Sequence, residues 1–179
     1  MLEQSFFERD TVVVARELIG QTLCREMEGI VHRLPITEVE AYDGPEDRAC
    51  HARAGRTART DIMFGPGGYW YIYLCYGIHW LANIVTGSEG YPSAVLLRGA
   101  GPLCGPGRLT KKLKVTGSLN RAAAHPASGF WIEAAEQVDP QSIKAGPRIG
   151  VDYAGTEWAI KPYRFVWSGM WGKAAVITG

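Results

Sequence analysis

The chain has 179 residues, 46% of them hydrophobic and 21% charged, and a formal net charge of +1. These values fit one globular domain over 1–179 with a sizeable core, and they exclude a disordered or fibrous polypeptide. A charge so close to zero carries no global mark of a polyanion binder, so any affinity for nucleic acid must come from local clusters. No apolar run approaches the roughly 18 to 20 residues a membrane span needs, and Met1-Leu2-Glu3-Gln4 lacks the basic and apolar regions of a signal peptide. The expectation is a soluble, intracellular protein with no membrane partner. Cys24, Cys50, Cys75 and Cys104 are scattered, without C-x-x-C or paired His spacing, which predicts free thiols, mostly buried, and no metal site.

Asp10 is placed to cap a helix through Thr11–Ile19 that Gly20 would stop. Gln21–Met27 reads as a strand, Glu28-Gly29 as a turn, and Ile30–Tyr42 as a second strand interrupted near Pro35. That hairpin carries Glu40 to its end. Asp43-Gly44-Pro45-Glu46-Asp47 is turn chemistry, and the residues up to Thr60 have no clean period, which predicts a long functional loop with room for one short helix. Tyr69–Val85 is aromatic and β-branched on both sides of Tyr76-Gly77, as a hairpin would be. A two-residue loop would pair Cys75 with Ile78. A three-residue loop, Tyr76 to Ile78, would pair Cys75 with His79, align Tyr71 with Asn83, and set Tyr71, Tyr73, Leu81 and Asn83 on one face. Ser93–Arg98 reads as a strand, Gly99–Gly107 as a loop, Arg108–Val115 as a helix, and Phe130–Glu133, Arg148–Tyr153 and Arg164–Trp167 as strands.

Alternate side chains on a strand share a face, so Glu40 stands beside Tyr42, and a carboxylate beside a flat ring suits a site that stacks a planar group and attacks it. Glu40 could deprotonate a water or stabilise a cationic sugar, the functions that cleavage of a glycosidic bond requires. Glu38 lies on the same face, about 7 Å away along the strand, which leaves a two-carboxylate glycosidase open. Tyr42, His51 and Tyr73 could wall an aromatic pocket, or be core aromatics. Tyr76, beside Gly77 at a hairpin tip, has little core to join and reads as a wedge. Arg98 is either a buried ion-pair partner or the group that orients Glu40 and its water. Two basic stretches, Arg48, Arg53, Arg56 and Arg59, then Arg108, Lys111, Lys112, Lys114 and Arg121, are solvated faces or contacts to phosphate. Phosphate-binding glycine motifs and the nucleophile elbow of α/β-hydrolases are absent from the sequence.

Thr37-Glu38-Val39-Glu40-Ala41-Tyr42, Gly44-Pro45-Glu46-Asp47, His51, Met63-Phe64, Tyr71 through Gly77, Asn83-Ile84, Val95 through Arg98, Pro147 through Val151 and Lys161 through Phe165 together resemble the alkyladenine DNA glycosylase family. This family comprises the mammalian-type 3-methyladenine DNA glycosylases of base-excision repair. The resemblance implies a single α+β domain with a curved antiparallel sheet, flanking helices and a protruding DNA-inserting β-hairpin. It also implies roles. Glu40 matches the general base, and Arg98 and the main-chain carbonyl of Ile149 match groups that hold the attacking water. Tyr42, His51 and Tyr73 match the flipped-base pocket, Asn83 the residue that crowds the 2-amino group of guanine, and Tyr76 the intercalating residue. Arg56, His79 and Arg108 resemble backbone-contacting positions.

The implied substrate is double-stranded DNA containing damaged purines, bound by a monomer without metal or cofactor. An alkylated purine is cationic and already a good leaving group, so a stacking pocket and an activated water suffice. No lysine adjoins Glu40, so a monofunctional enzyme that leaves an abasic site is expected. The segment from Arg98 to Arg108 is much shorter than in mammalian members. A non-catalytic module that stacks bases on the same aromatic face is the competing class.

Overall fold

The computed structural model describes residues 1–168; residues 169–179 of the expected domain lie outside the described residues. In chain order come α1 (Gln4–Phe7), α2 (Thr11–Leu18), β1 (Thr22–Met27), β2 (Ile30–Asp43), β3 (Trp70–Cys75), β4 (His79–Val85), β5 (Ser93–Ala100) and β6 (Leu103–Cys104). α3 (Pro106–Lys112), β7 (Phe130–Glu133), β8 (Ile143–Gly146), α4 (Thr156–Ala159) and β9 (Arg164–Trp167) complete them. The strands form one antiparallel sheet in the order β3-β4-β5-β2-β1-β7, with β6 beside β5 and the β8–β9 pair joined to β2. This is the mixed α+β fold that the sequence predicts.

Asp10 caps α2 as expected, its carboxylate accepting from the Val12 and Val13 amides at 3.0 and 2.9 Å. Those are two of the donors that a helix start leaves open. The β1–β2 turn has two residues, Glu28 (φ 55°) and Gly29 (φ 77°), both left-handed, as the tightest hairpin turn demands.

β2 runs unbroken through Pro35 and ends at Asp43, one residue beyond the expected Tyr42, and the irregularity expected near the proline falls just after it, between Ile36 and Val39. Residues up to Pro35 pair with β1; from Ile36 the opposite edge pairs with β5, and β9 takes Glu38 to Glu40. A residue with no N–H is tolerated where the ladder changes partner. Ile36–Ala100 and Val39–Leu97 belong to one register, and Glu38, opposite Gly99, departs from it locally.

Two further expectations are corrected. Arg148–Tyr153 is not a strand: Gly150 takes φ 75° and Asp152–Ala154 is a 3₁₀ turn. The buried Arg148 side chain ties this segment to Ala41 and Asp47, so a side-chain ion pair holds it in place of a ladder. The helix expected from Arg108 starts at Pro106, a residue suited to the first helical turn, and ends at Lys112. The loop after β2 contains one 3₁₀ turn, His51–Ala54, and a second follows at Asp61–Phe64.

Strand alternation divides the molecule. Trp70 and Ile72 of β3 enter the main core, where α2 contributes Val14, Ala15 and Leu18 and α3 contributes Leu109. There Trp70 stacks on Phe130 at 4.1 Å and donates its indole N–H to the Phe130 carbonyl at 2.8 Å, so the buried ring has no unmet donor. Tyr71, on the other face, joins a smaller cluster with Cys50, Ala52, Ile62 and Met63, through which residues 50–63 roof part of the sheet. Cys24 and Cys50 are buried free thiols, Cys75 is half-buried and Cys104 exposed, so the burial expected of the thiols holds for only two.

Candidate active site

On the roofed face the register draws one row across the sheet. Tyr71 lies opposite Asn83, Asn83 opposite Leu96, and Leu96 opposite Glu40. Directly paired residues share a face, so β-strand register alone brings positions 31 residues apart in sequence and more into one floor. The hairpin adopts the three-residue loop, with Cys75 opposite His79, which puts Tyr73 beside Leu81 on this face. Above the floor is a cavity of about 240 Å³ whose walls include Tyr42, His51, Tyr73, Asn83, Arg98 and Ile149. The structure thus gathers the residues that the sequence singled out for a base pocket.

Glu40 is fully buried. Its Oε2 accepts from the Tyr42 hydroxyl at 2.9 Å and from Arg98 Nη1 at 3.4 Å, and its Oε1 accepts from the Ile149 amide at 2.7 Å. Ile149 therefore meets Glu40 through its N–H. Arg98 is a largely buried ion-pair partner: it touches Glu40 and donates Nε–H to Glu38 Oε1 at 2.9 Å, an oxygen that Arg164 also reaches at 3.1 Å. Burial raises the Glu40 pKa above the usual carboxylate value, against Arg98, the Ile149 amide and the Tyr42 hydroxyl, which pull it down; the Glu38 charge adds to the rise. A carboxylate shifted this way is a better proton acceptor than an ordinary surface glutamate. Burial, and next the Glu40 charge, likewise raise the Tyr42 pKa, so its hydroxyl stays a donor.

His51 opens onto the cavity while its Nδ1 lies 3.0 Å from the Tyr71 hydroxyl, and its ring meets that of Tyr73 edge to face at 4.7 Å. Burial, then the Arg59 charge, push its pKa down to about 4. The imidazole is accordingly neutral at pH 7, and a base carrying a positive charge meets no like charge from it. NMR titration of His51 should give a midpoint near that value; a midpoint at the ordinary histidine value of about 6.5 would contradict it. Because the folded pKa is depressed, folding stability falls as pH drops from about 6.5 towards 4, where only the unfolded chain takes up this proton.

Tyr76 (φ 50°) and Gly77 (φ 69°) turn the hairpin tip, where Tyr76 is 94% exposed and Ile78 72% exposed. Neither has a core to join, and Tyr76 reaches the cavity rim. Arg108, in the first turn of α3, and His79 of β4 are both exposed, and the helix start packs on the imidazole: a Cβ at Gly107 would lie 3.0 Å from His79 Cγ. Arg56 instead pairs with Asp61 at 3.0 Å, and Arg121 shares that carboxylate at 3.1 Å. Arg48, Arg53 and Arg59 of the first basic stretch and Arg108, Lys111 and Lys112 of the second form no salt bridge among the described residues.

Spacing did not reveal the Asp47–Arg148 pair. Both side chains are completely buried; Arg148 binds both Asp47 oxygens, donates to the Ala41 carbonyl at 2.9 Å, and has its guanidinium 4.8 Å from the Tyr42 ring and 5.3 Å from that of Tyr163. It thus lies against Tyr42 and one residue before Ile149, two of the three residues whose hydrogen bonds reach Glu40. Its partner is 101 residues away in sequence, and no periodic signal links them.

A buried carboxylate on the face of an aromatic slot, with an exposed hairpin tip at its rim, is the equipment of an enzyme that works on a planar base. A methylpurine-DNA glycosylase family model matches residues 5–105 and 103–170. Similar curated proteins bear the name "Putative 3-methyladenine DNA glycosylase". That of Anaeromyxobacter dehalogenans strain 2CP-1 is 44% identical, covering 94% of this chain and 82% of its own length. That of Methanocella arvoryzae is 40% identical (92% and 91%), and that of Legionella pneumophila strain Corby 42% identical (92% and 92%). The chain belongs to the methylpurine-DNA glycosylase family and is a DNA glycosylase, a hydrolase of N-glycosyl bonds in the repair of alkylated DNA.

Proposed function

We propose that the protein removes alkylated purines, 3-methyladenine among them, from duplex DNA by turning the damaged nucleotide into the cavity and hydrolysing its N-glycosyl bond with a water that Glu40 deprotonates. The observation that carries this reading is the placement of Glu40: enclosed, raised in pKa, and on the same sheet face as the aromatic slot. Each carboxylate oxygen accepts more than one hydrogen bond, so Oε1, held by the Ile149 amide, keeps capacity for a water.

The water oxygen attacks C1′ of the deoxyribose, its proton passes to Glu40, and the C1′–N bond breaks with its electron pair going to the purine. A purine alkylated on a ring nitrogen leaves as a neutral molecule, and the sugar remains as an abasic site. Arg98, fixed by Glu38, holds Glu40 in place, and Tyr42 and Tyr73 sandwich or flank the base, each stack contributing about 1 to 3 kcal/mol. The unpaired arginines and lysines supply phosphate contacts, and Tyr76 fills the space the base vacates. Deaminated purines are neutral, so as further substrates of the same pocket they need a proton or a hydrogen bond delivered to the departing base, and a monomer is the working unit.

Mass spectrometry of methylated duplex DNA incubated with the protein tests the reading. Free 3-methyladenine or 7-methylguanine is expected; no purine from a folded preparation would leave the base-stacking module as the better account. Tyr76→Ala should weaken binding to lesion-bearing duplex by about tenfold or more, since one lost stack is worth on the order of 1 to 3 kcal/mol. Undiminished affinity in a gel-shift or fluorescence titration would remove the wedge role.

A further inference from the structure

We infer that Arg59 and Tyr71 fix His51 as the neutral tautomer protonated on Nε2, so that its side chain meets the bound nucleotide as a hydrogen-bond donor. The inference rests on the reading of the cavity as a base pocket, but its first half concerns the free protein. It follows from counting protons. Arg59 Nε–H lies 3.3 Å from the Tyr71 hydroxyl oxygen and can only donate. His51 Nδ1 lies 3.0 Å from the same oxygen. Tyr71 is almost fully buried, and among the described residues its hydroxyl has no other hydrogen-bond partner. If Nδ1 also donated, the phenolic proton would have no protein acceptor among the described residues, a cost of about 1 to 3 kcal/mol. The hydroxyl therefore accepts from Arg59 and donates to Nδ1, which must be the bare nitrogen. The ring proton is left on Nε2, which has no hydrogen-bond partner among the described residues, on a ring that forms part of the cavity wall.

A second contact holds Arg59 in position, its guanidinium carbon sitting 4.7 Å from the centre of the Tyr73 ring. Tyr73 in turn meets His51 edge to face, so the two tyrosines of β3 and the arginine of the loop form one support behind the imidazole. A donor at Nε2 selects a nucleotide with a lone pair at the facing position and disfavours one that presents an N–H or methyl group there. Ring nitrogens and the 6-oxo group of a purine supply such lone pairs, and so does a phosphate oxygen; the two sources are separable by experiment.

Long-range ¹H–¹⁵N correlation spectra of the full chain at pH 7 read the tautomer directly. His51 is expected as a single species with Nε2 protonated and Nδ1 bare. Tyr71→Phe and Arg59→Met should each move the Nδ1 resonance towards the average of two tautomers. A wild-type Nδ1–H, or a resonance that neither variant moves, would overturn the inference. With Glu40→Gln protein to preserve the substrate, a hypoxanthine-containing duplex is expected to shift the Nε2 proton while a duplex with a tetrahydrofuran abasic analogue leaves it in place. Equal shifts with both would assign the acceptor to phosphate, and no shift with either would overturn the donor role. His51→Leu should weaken binding to the hypoxanthine duplex by about tenfold, and His51→Gln, which keeps a donor, by less. Purine release by wild type together with a Nδ1–H tautomer defeats this inference alone, whereas absence of release defeats the pocket reading and leaves the tautomer result standing.

Discussion

Replacing Glu40 with glutamine is expected to reduce base release by about a hundred- to ten-thousand-fold, the usual contribution of a positioned general base, while leaving the affinity for lesion DNA close to wild type. Glutamine has nearly the same shape and still offers Oε1 to the Ile149 amide, but it takes no proton from water. Single-turnover excision and equilibrium binding, measured on the same preparation, separate the two effects. The glutamine amide nitrogen, in the place of Oε2, meets two donors, the Tyr42 hydroxyl and Arg98 Nη1, and this mismatch offsets what removal of the buried charge gains at pH 7. Burial raises the Glu40 pKa, so the folded state holds the charged form at a cost that the neutral amide avoids. The sign is opposite to that of a stabilising surface carboxylate: this group favours folding below its unfolded pKa and opposes it as pH rises through the folded one. The same shift places the acidic limb of the excision profile above the ordinary glutamate value of about 4.3, with activity rising as pH rises through it. Excision by Glu40→Gln at the wild-type rate would show that another group takes the proton.

Register explains why so much of this site was readable. Once β2 delivers Glu40 and Tyr42 to one face, and the Tyr76–Ile78 loop sets Tyr71 against Asn83, the aromatic slot follows from alternation alone. The cap at Asp10 and the Glu28-Gly29 turn were legible for the same local reason. What sequence reading missed depends on contacts with no period. The segment after Pro147 has the β-branched look of a strand, yet the Arg148 side chain fixes it to Asp47, and it pairs with no strand among the described residues. Arg59 could be read only as part of a basic loop, because its link to His51 passes through a hydroxyl of β3. Pro35 was a correct warning of a change in the ladder, but the change is a transfer of partner strand, which no local feature distinguishes from an interruption. The one-turn α1 is too short to carry a period at all.

Asp47→Ala is expected to destabilise the protein by about 3 to 5 kcal/mol, a loss at the upper end of what a single polar substitution causes. The change leaves the Arg148 guanidinium charged, completely buried and without its counter-ion. It also removes the acceptor of the Ala49 and Asp43 amides, at 2.9 and 3.1 Å, which would loosen the loop that carries His51. Among the described residues Arg148 Nε already lacks a partner, so loss of Asp47 adds to the donors that the buried guanidinium leaves unsatisfied. Asp47→Asn combined with Arg148→Met should restore part of the loss, because the amide oxygen can still accept from one of the two loop amides and methionine fills the space between Tyr42 and Tyr163 without a charge. Urea unfolding of the two variants measures the difference; a loss below about 1 kcal/mol in Asp47→Ala would mean that the pair is dispensable. The double variant also separates folding from catalysis. With the Arg148 anchor to the Ala41 carbonyl gone, the Ile149 amide is less firmly held against Glu40 Oε1. That amide is one of the groups that lower the Glu40 pKa, so the acidic limb of its excision profile should move to higher pH than in wild type. A stable double variant with an unmoved limb would confine Asp47 and Arg148 to folding and leave Glu40 positioned by Tyr42 and Arg98 alone.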